Sequence, residues 1–339
     1  MNATMSLDPK KHYPVMLNQI LSIISPQHGG TFIDCTFGGG GYSEEILKFK
    51  DTKVFGIDRD SLVLKHAKSL EEKFPKRFIF FQDKFSNLEN IIQKDVKPRA
   101  IIFDLGLSSL QLSDQNRGFS FKSESSISME MGINNYSAFD VINKLDKKAL
   151  ANIIKILGEE KEGRNIASNI VNYRNKRSIK NSIELSKIIQ NAKKKYSNFK
   201  KNPSTKTFQA IRIFVNRELT ELVSALKAAT KLLSNGGILL VVSFHSIEDK
   251  IVKNFFNFYS NLRHKPSRYF PSHEEKTVLF NVQNRKPIIP NNSEIKVNLR
   301  SRSAKLRYGI RNDKSFSSLE EFEKKFQTYT EIEKLKIWA

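Results

Sequence analysis

The run Gly38-Gly39-Gly40-Gly41 constrains this chain more than any other feature. It follows Thr31–Thr36, an apolar stretch with the pattern of a short buried strand, and Tyr42–Lys48 resumes at once with helical spacing. Glycines at a strand-to-helix turn remove the side chains there, so a ligand can lie against backbone N–H groups at the helix start. Strand, glycine turn and helix are the opening of a doubly wound sheet. The run is not the G-x-G-x-x-G dinucleotide fingerprint, because its glycines are contiguous and position 43 is Ser43.

The alternation continues through Val54–Ile57, the amphipathic stretch Ser61–Phe74, Phe78–Phe81 and Ala100–Phe103. Parallel neighbours need a crossover of a dozen or more residues, so this spacing predicts an α/β fold with a mainly parallel sheet. From about Leu112 to Pro203 only helical patterns follow: Lys147–Leu157, Arg164–Asn175 and Ser182–Ala192. Thr207–Leu233 then reads as one long helix closed by Asn235-Gly236-Gly237, and Ile238–Phe244 as a strongly apolar strand that resumes the sheet. The organisation read from the sequence is a Rossmann-like domain over 1–111 and 204–313, a helical insertion over 112–203, and an extension over 314–339. Prolines 266, 271, 287 and 290 make the region beyond Phe256 irregular, and Ser318–Leu335 reads as an exposed helix opened by a Ser318-x-x-Glu321 capping box.

The net charge is +22, from 57 Lys and Arg against 35 Asp and Glu. A lysine-rich composition alone would produce such a total, so its location matters. Arg164–Lys206 holds twelve basic residues and one acid, Glu184, and Lys296–Arg311 holds six and no acid. Cations that displace condensed counterions from phosphates gain free energy by counterion release, and one-sided blocks favour a polyanionic partner over a merely solvated face. The single cysteine, Cys35, excludes an intramolecular disulfide framework and a multi-cysteine zinc site. In a buried strand it is expected to be inert packing, and the six His are not paired at ligand spacing, so no metal is expected. Apolar runs such as Ile238–Val242 fall far short of the ~20 residues that cross a bilayer. Met1–Lys11 has no apolar h-region with a cleavage site, so the expected setting is the cytoplasm with no membrane partner.

Two acids and a histidine stand where chemistry is expected. Asp58 ends the second strand, where a carboxylate meets the two hydroxyls of a nucleoside ribose; the alternative is a helix N-cap, since Asp58 and Asp60 both precede a helix. With the glycine loop it describes a nucleoside cofactor, without separating a nicotinamide from S-adenosylmethionine. Asp104 ends the fourth strand in Asp104-Leu105-Gly106-Leu107-Ser108-Ser109, at the carboxyl edge where ligands of such folds bind, or else simply caps the next turn. The turn lacks the Asp-Pro-Pro-Tyr form of many amino-methyltransferases and does not name an acceptor atom. His245, after the strongest late strand, is either catalytic or a hydrogen-bonded structural residue.

At these residues the chain resembles the bacterial 16S ribosomal RNA (cytosine-N4)-methyltransferase family. The matching segments, in family order, are His12-Tyr13-Pro14-Val15-Met16-Leu17, Asp34-Cys35-Thr36-Phe37-Gly38 with Gly40-Gly41, Gly56-Ile57-Asp58-Arg59-Asp60 and the Asp104–Ser109 turn. They continue with Arg117-Gly118-Phe119-Ser120-Phe121, Thr207-Phe208-Gln209-Ala210-Ile211-Arg212-Ile213, Ser243-Phe244-His245-Ser246 with Glu248-Asp249, and Arg302-Ser303-Ala304-Lys305-Leu306-Arg307. The resemblance implies a class I methyltransferase fold and the cofactor S-adenosylmethionine, held by Gly40, Gly41, Tyr42, Asp58, Phe85, Asp104 and Gln111. It implies as substrate 16S rRNA or the small ribosomal subunit, methylated at N4 of a specific cytosine in the decoding region. On that chemistry Asp104 is the expected acceptor for an N4–H, with Ser108, Ser109 and Asn216 orienting the base and Phe119 and Phe121 walling its pocket. Lys206, Arg212, Arg302, Lys305 and Arg307 are the expected phosphate contacts, with charge added by Lys193–Lys201. Departures are Tyr42 where the family has His, Leu110 where it has Pro, and Ile127-Ser128-Met129-Glu130-Met131 for Leu-Asp-Met-Arg-Met. The rival readings are a non-catalytic RNA-binding protein on the same fold, a nicotinamide oxidoreductase, and a DNA cytosine methyltransferase.

Overall fold

Strands that are apolar on both faces belong in the middle of a parallel sheet covered by helices. That is where Phe32, Ile33, Val54, Ile57, Ile101, Ile102 and Leu239–Val242 lie, all buried. The computed structural model describes residues 14–193, 202–261, 278–316 and 318–337. Its strands are β1 (Gly30–Asp34), β2 (Thr52–Asp58), β3 (Phe78–Gln82), β4 (Ala100–Asp104), β5 (Ile238–Ser243), β6 (Phe280–Asn281) and β7 (Lys305–Arg311). They form a 7-stranded sheet in the order β3-β2-β1-β4-β5-β7-β6. The first five run parallel, while β7 is antiparallel to both β5 and β6. This is the mainly parallel α/β sheet expected from the sequence, with an antiparallel pair added at one edge.

Chain order reverses between β1 and β4, and the crevice outside the carboxyl ends of strands at such a switch point is where ligands bind. Asp34 and Asp104 are the last residues of those two strands.

β6 and β7 were not expected from the sequence. β7 reads Lys305-Leu306-Arg307-Tyr308-Gly309-Ile310-Arg311, and its cations mask the strand pattern. Arg311 is nevertheless buried, donating to the carbonyls of Leu279 at 3.1 Å and Thr230 at 3.3 Å and to Asn312 Oδ1 at 2.9 Å. The expected long helix Thr207–Leu233 is two helices, Thr205–Asn216 and Glu218–Leu232. Arg217 separates them in the left-handed region at φ 51°, and Arg212 spans the break by a bidentate pair with Glu218, both contacts at 2.8 Å.

The chain forms two compact units: 1–109 with 225–322, which contains the sheet, and 110–224 with 323–339, which is helical. The second therefore takes in the helix Thr205–Asn216 and the end of the C-terminal segment, beyond the 112–203 read from the sequence. Its helices Lys147–Leu157, Gly163–Arg174 and Ser182–Ala192 bury Leu150, Ile153, Ile154 and Leu157, Ile166, Ala167 and Ile170, and Leu185 and Ile189, the period-3.6 stripes of the sequence.

The C-terminal helix, Glu320–Glu333, is not the exposed helix expected. Phe322 is fully buried against Phe255, with centroids 5.5 Å apart, and near Phe258 and Tyr259, each at 6.4 Å. At the far end Glu333 accepts the N–H groups of Leu219 at 3.0 Å and Thr220 at 2.7 Å, supplying acceptors to otherwise unpaired donors at the start of the helix Glu218–Leu232. Ser318 Oγ accepts from Glu320 N at 3.1 Å, so the hydroxyl caps the helix start. Among the described residues, no helix is long and apolar enough to cross a membrane. Phe322→Ala should lower stability by about 3–5 kcal/mol, the usual cost of emptying a packed aromatic site, read as a fall in the urea midpoint.

Candidate active site

The glycine loop turns directly off β1. Gly38 and Gly40 take positive φ, 53° and 79°, which an L side chain adopts only with strain. A Cβ on Gly40 would lie 2.8 Å from the Phe37 ring, and one on Gly41 2.4 Å from Pro14. A Cβ on Gly39 would meet nothing within 4 Å, so bare backbone faces open space there. A Cβ on Gly38 would stand 3.6 Å from Ser108 Cβ, which places the Asp104–Ser109 turn alongside the loop.

Asp58 fixes this loop. Its Oδ2 accepts Gly38 N–H at 2.8 Å and its Oδ1 accepts Asp60 N–H at 2.9 Å. The helix cap is Asp60, whose carboxylate accepts from Leu62 N, and Asp58 retains lone pairs for ribose hydroxyls. Burial raises its carboxyl to about 6 against the two backbone bonds. Asp34 is buried under the same edge, holding Ser43 Oγ at 2.8 Å and Thr36 N–H at 3.3 Å, and burial raises it to about 6 as well.

Asp104 is the least satisfied of the three. Its N–H donates to Thr36 Oγ1 at 2.7 Å, and its Oδ2 accepts from Tyr42 Oη at 3.3 Å. Its Oδ1 is buried with no hydrogen-bond partner. Burial first, then the Asp34 charge, push its pKa up to about 8; the Tyr42 hydroxyl pulls it down and Glu248 pushes it up. The single Tyr42 hydroxyl proton is shared between Asp104 and the nearer Val15 carbonyl, at 2.5 Å. The Phe85 ring, after β3, stands edge-on to Phe103 at 5.6 Å and is half-buried. An unsatisfied buried acid beside side-chain-free backbone, with a second acid positioned for hydroxyls, suits a cationic nucleoside.

A family model described as the MraW methylase family matches residues 9–311. The chain belongs to this family. It is 42% identical over 299 residues to Ribosomal RNA small subunit methyltransferase H of Wolbachia sp. subsp. Drosophila simulans (strain wRi), covering 87% of this chain and 97% of that protein. It is 41% identical over 305 residues to the Afipia carboxidovorans protein of the same name, covering 89% and 91%. The cofactor is S-adenosylmethionine, and the acids and glycines above fit it. The C-terminal helix lies outside the matched residues.

Other residues singled out by the family motifs have different surroundings. Ser109 accepts from Arg300 Nη1. Gln111 is buried in the short helix Ser109–Ser113. Asn216 does not present a free amide to a base. Its Oδ1 accepts from Met131 N at 2.8 Å and Asn134 Nδ2 at 3.0 Å, and its Nδ2 donates to the Met129 and Arg212 carbonyls, both at 2.8 Å, which fills its capacity. It braces the 129–134 loop. In that loop Glu130 turns its carboxylate to Ser128 Oγ at 2.5 Å, while its carbonyl accepts from Arg117 at 3.2 Å. Phe121 stacks edge-on to the buried Phe208 at 4.8 Å, and Phe119 and Phe121 are both half-buried.

Of the expected phosphate contacts, Arg212 is held by Glu218, Lys206 donates to the Glu159 carbonyl at 2.8 Å, and Lys305 and Arg307 both pair with Asp249 at 2.8 Å. Arg302 is exposed. Lys193 pairs with Glu160 at 2.6 Å with both side chains buried, and 194–201 lie outside the described residues. His245 is the N-cap of the helix Ser246–Tyr259, its Nδ1 accepting Glu248 N–H at 3.4 Å while Glu248 Oε2 accepts the N–H groups of Phe244 and His245. Cys35 is buried and its thiol pKa is raised by that burial, so it is packing.

Gly40→Ala should weaken S-adenosylhomocysteine binding tenfold or more, read by calorimetry, since alanine is strained at that φ and meets the Phe37 ring. Tyr42→Phe removes the hydroxyl that lowers the Asp104 pKa. The acid then ionises at higher pH, and the single-turnover pH–rate curve should shift to higher pH with its plateau reached later.

Proposed function

We propose that this protein transfers a methyl group from S-adenosylmethionine to N4 of a cytosine in the decoding region of small-subunit rRNA, in the cytoplasm. The curated names of its relatives support the substrate class. The observation that carries the chemistry is Asp104, a carboxyl at the switch point whose Oδ1 is buried and unpaired.

The cofactor supplies an electrophilic methyl on a cationic sulfur, so transfer is an in-line displacement that needs alignment and little water. Cytosine N4 is a poor nucleophile because its lone pair is delocalised into the ring. Asp104 Oδ1 accepts an N4–H and favours the geometry in which that lone pair faces the methyl group. Tyr42 and Thr36 hold the carboxyl and backbone of Asp104, so the acceptor does not have to reorganise. With a pKa near 8 without ligand, Asp104 is largely protonated at neutral pH. A cation beside it favours the ionised, accepting form. Asp104 then holds the proton that N4 loses, before passing it to water. Ser108 and Ser109, on the turn that follows Asp104, are the residues we assign to orienting the base, which must leave any stack to reach the methyl group.

The test is transfer of a tritiated methyl group to small-subunit rRNA and to purified subunits. The wild type should label one cytosine at N4, and Asp104→Ala should lower the rate by at least 10²-fold while RNA binding persists. An active Asp104→Ala enzyme would remove the mechanism, and a wild type that binds RNA without transfer would identify a non-catalytic binding protein. Affinity for rRNA should fall steeply with salt, and charge reversal at Lys194, Lys195, Lys200 and Lys201 should weaken it, measured by filter binding.

A further inference from the structure

Four of the five cations expected to meet RNA are engaged within the protein, and a different surface is available. β7 runs antiparallel to β5, so Lys305 pairs with Ser243 and the start of β7 lies at the carboxyl end of the parallel strands. The segment 285–302, which leads into β7, therefore sits at the same edge of the sheet as Asp104.

Three contacts fasten it there. Ile288 and Leu306 exchange backbone hydrogen bonds at 2.9 Å. Arg300 donates to Ser109 Oγ, on the turn that follows Asp104. Glu294 accepts Met16 N–H at 2.6 Å, next to Val15, whose carbonyl receives the Tyr42 hydroxyl.

The segment's surface is unusual. Leu299, Ile289 and Val297, at 74%, 65% and 51%, are the three most exposed large apolar side chains among the described residues. Lys286, Lys296 and Arg302 are exposed around them, and the one acid, Glu294, is already used by Met16. Exposed apolar side chains among cations suit a ligand that is both polyanionic and flat-faced. A single RNA strand has unstacked base faces and a phosphate chain, whereas a duplex hides the faces.

We propose that residues 285–302 form the docking surface for the single-stranded RNA that flanks the methylated base. Bases rest on Leu299 and Val297 while Lys296 and Arg302 take phosphates. This rests on the proposed rRNA substrate and names the surface that receives it.

The experiment compares Lys296→Glu, Leu299→Glu and the double variant with Lys68→Glu, a charge-matched change on the exposed side of the helix Leu64–Lys73. Anisotropy with a labelled single-stranded rRNA fragment gives affinity and salt slope, and calorimetry with S-adenosylhomocysteine reports the intact cofactor site. The double variant should lose tenfold or more in RNA affinity and Lys296→Glu should reduce the salt slope by about one, with cofactor affinity unchanged and Lys68→Glu affected far less. RNA affinity of the double variant equal to that of an active wild type would overturn the proposal and leave the rRNA reading standing. Loss of self-association in light scattering with RNA affinity intact would also overturn it, assigning the surface to a second copy of the chain. A wild type that binds the fragment through this surface yet transfers no methyl would defeat the functional reading alone.

Discussion

The structure depends on keeping three carboxyl groups, the buried Asp34 and the half-buried Asp58 and Asp104, out of full contact with water at the ends of β1, β2 and β4. Burial disfavours the charged form of each, and like charges nearby add to the cost. The neighbouring groups compensate unequally. Asp34 has Ser43 and Thr36, Asp58 has two backbone N–H groups, and Asp104 has only Tyr42 with one oxygen unserved. The ordering of their pKa values, about 6, about 6 and about 8, follows that inequality. A cationic group beside Asp104 would favour its ionised form, where the cost is greatest. The same groups shape the backbone, because the Asp58 carboxylate receives Gly38 N–H and so sets the path of the glycine loop.

The large positive charge divides into cations that hold the fold and cations that face outward. Arg311 feeds carbonyls inside the sheet domain, Lys305 and Arg307 converge on Asp249, Arg212 spans a helix break, and Lys193 is buried on Glu160. Each of these cations already has a carboxylate or carbonyl partner inside the protein. Charge in a sequence therefore indicates the kind of partner more reliably than the residues that touch it. Around Leu299, the exposed Lys286, Lys296 and Arg302 face solvent.

Much of the sheet was legible because its strands are buried on both faces and read as unbroken apolar runs. β7 was hidden because Lys305 and Arg307 put charges on a strand whose partner Asp249 lies far away in sequence. The break at Arg217 was hidden because no glycine marks it; Arg217 takes a left-handed conformation that Arg212 and Glu218 bridge. Asn216 was legible as a motif residue and misleading as to its partners, since an amide looks the same in sequence whether it serves a loop or a ligand. Phe322 gave no sign of burial, for its aromatic neighbours come from a helix more than sixty residues earlier.

By itself the sequence determined the order of the first five strands along the chain, the glycine turn after β1, the acids that end β2 and β4, and the family to which these motifs belong. Those features are local, since apolar runs, contiguous glycines and strand-ending acids act through their immediate neighbours. Only the tertiary structure decided which acid is left with an unpaired oxygen, which cations are consumed internally, and that the segment before β7 returns to the carboxyl edge beside Ser109. Those outcomes depend on desolvation and on partners distant in sequence, and both come into being only when the chain closes on itself.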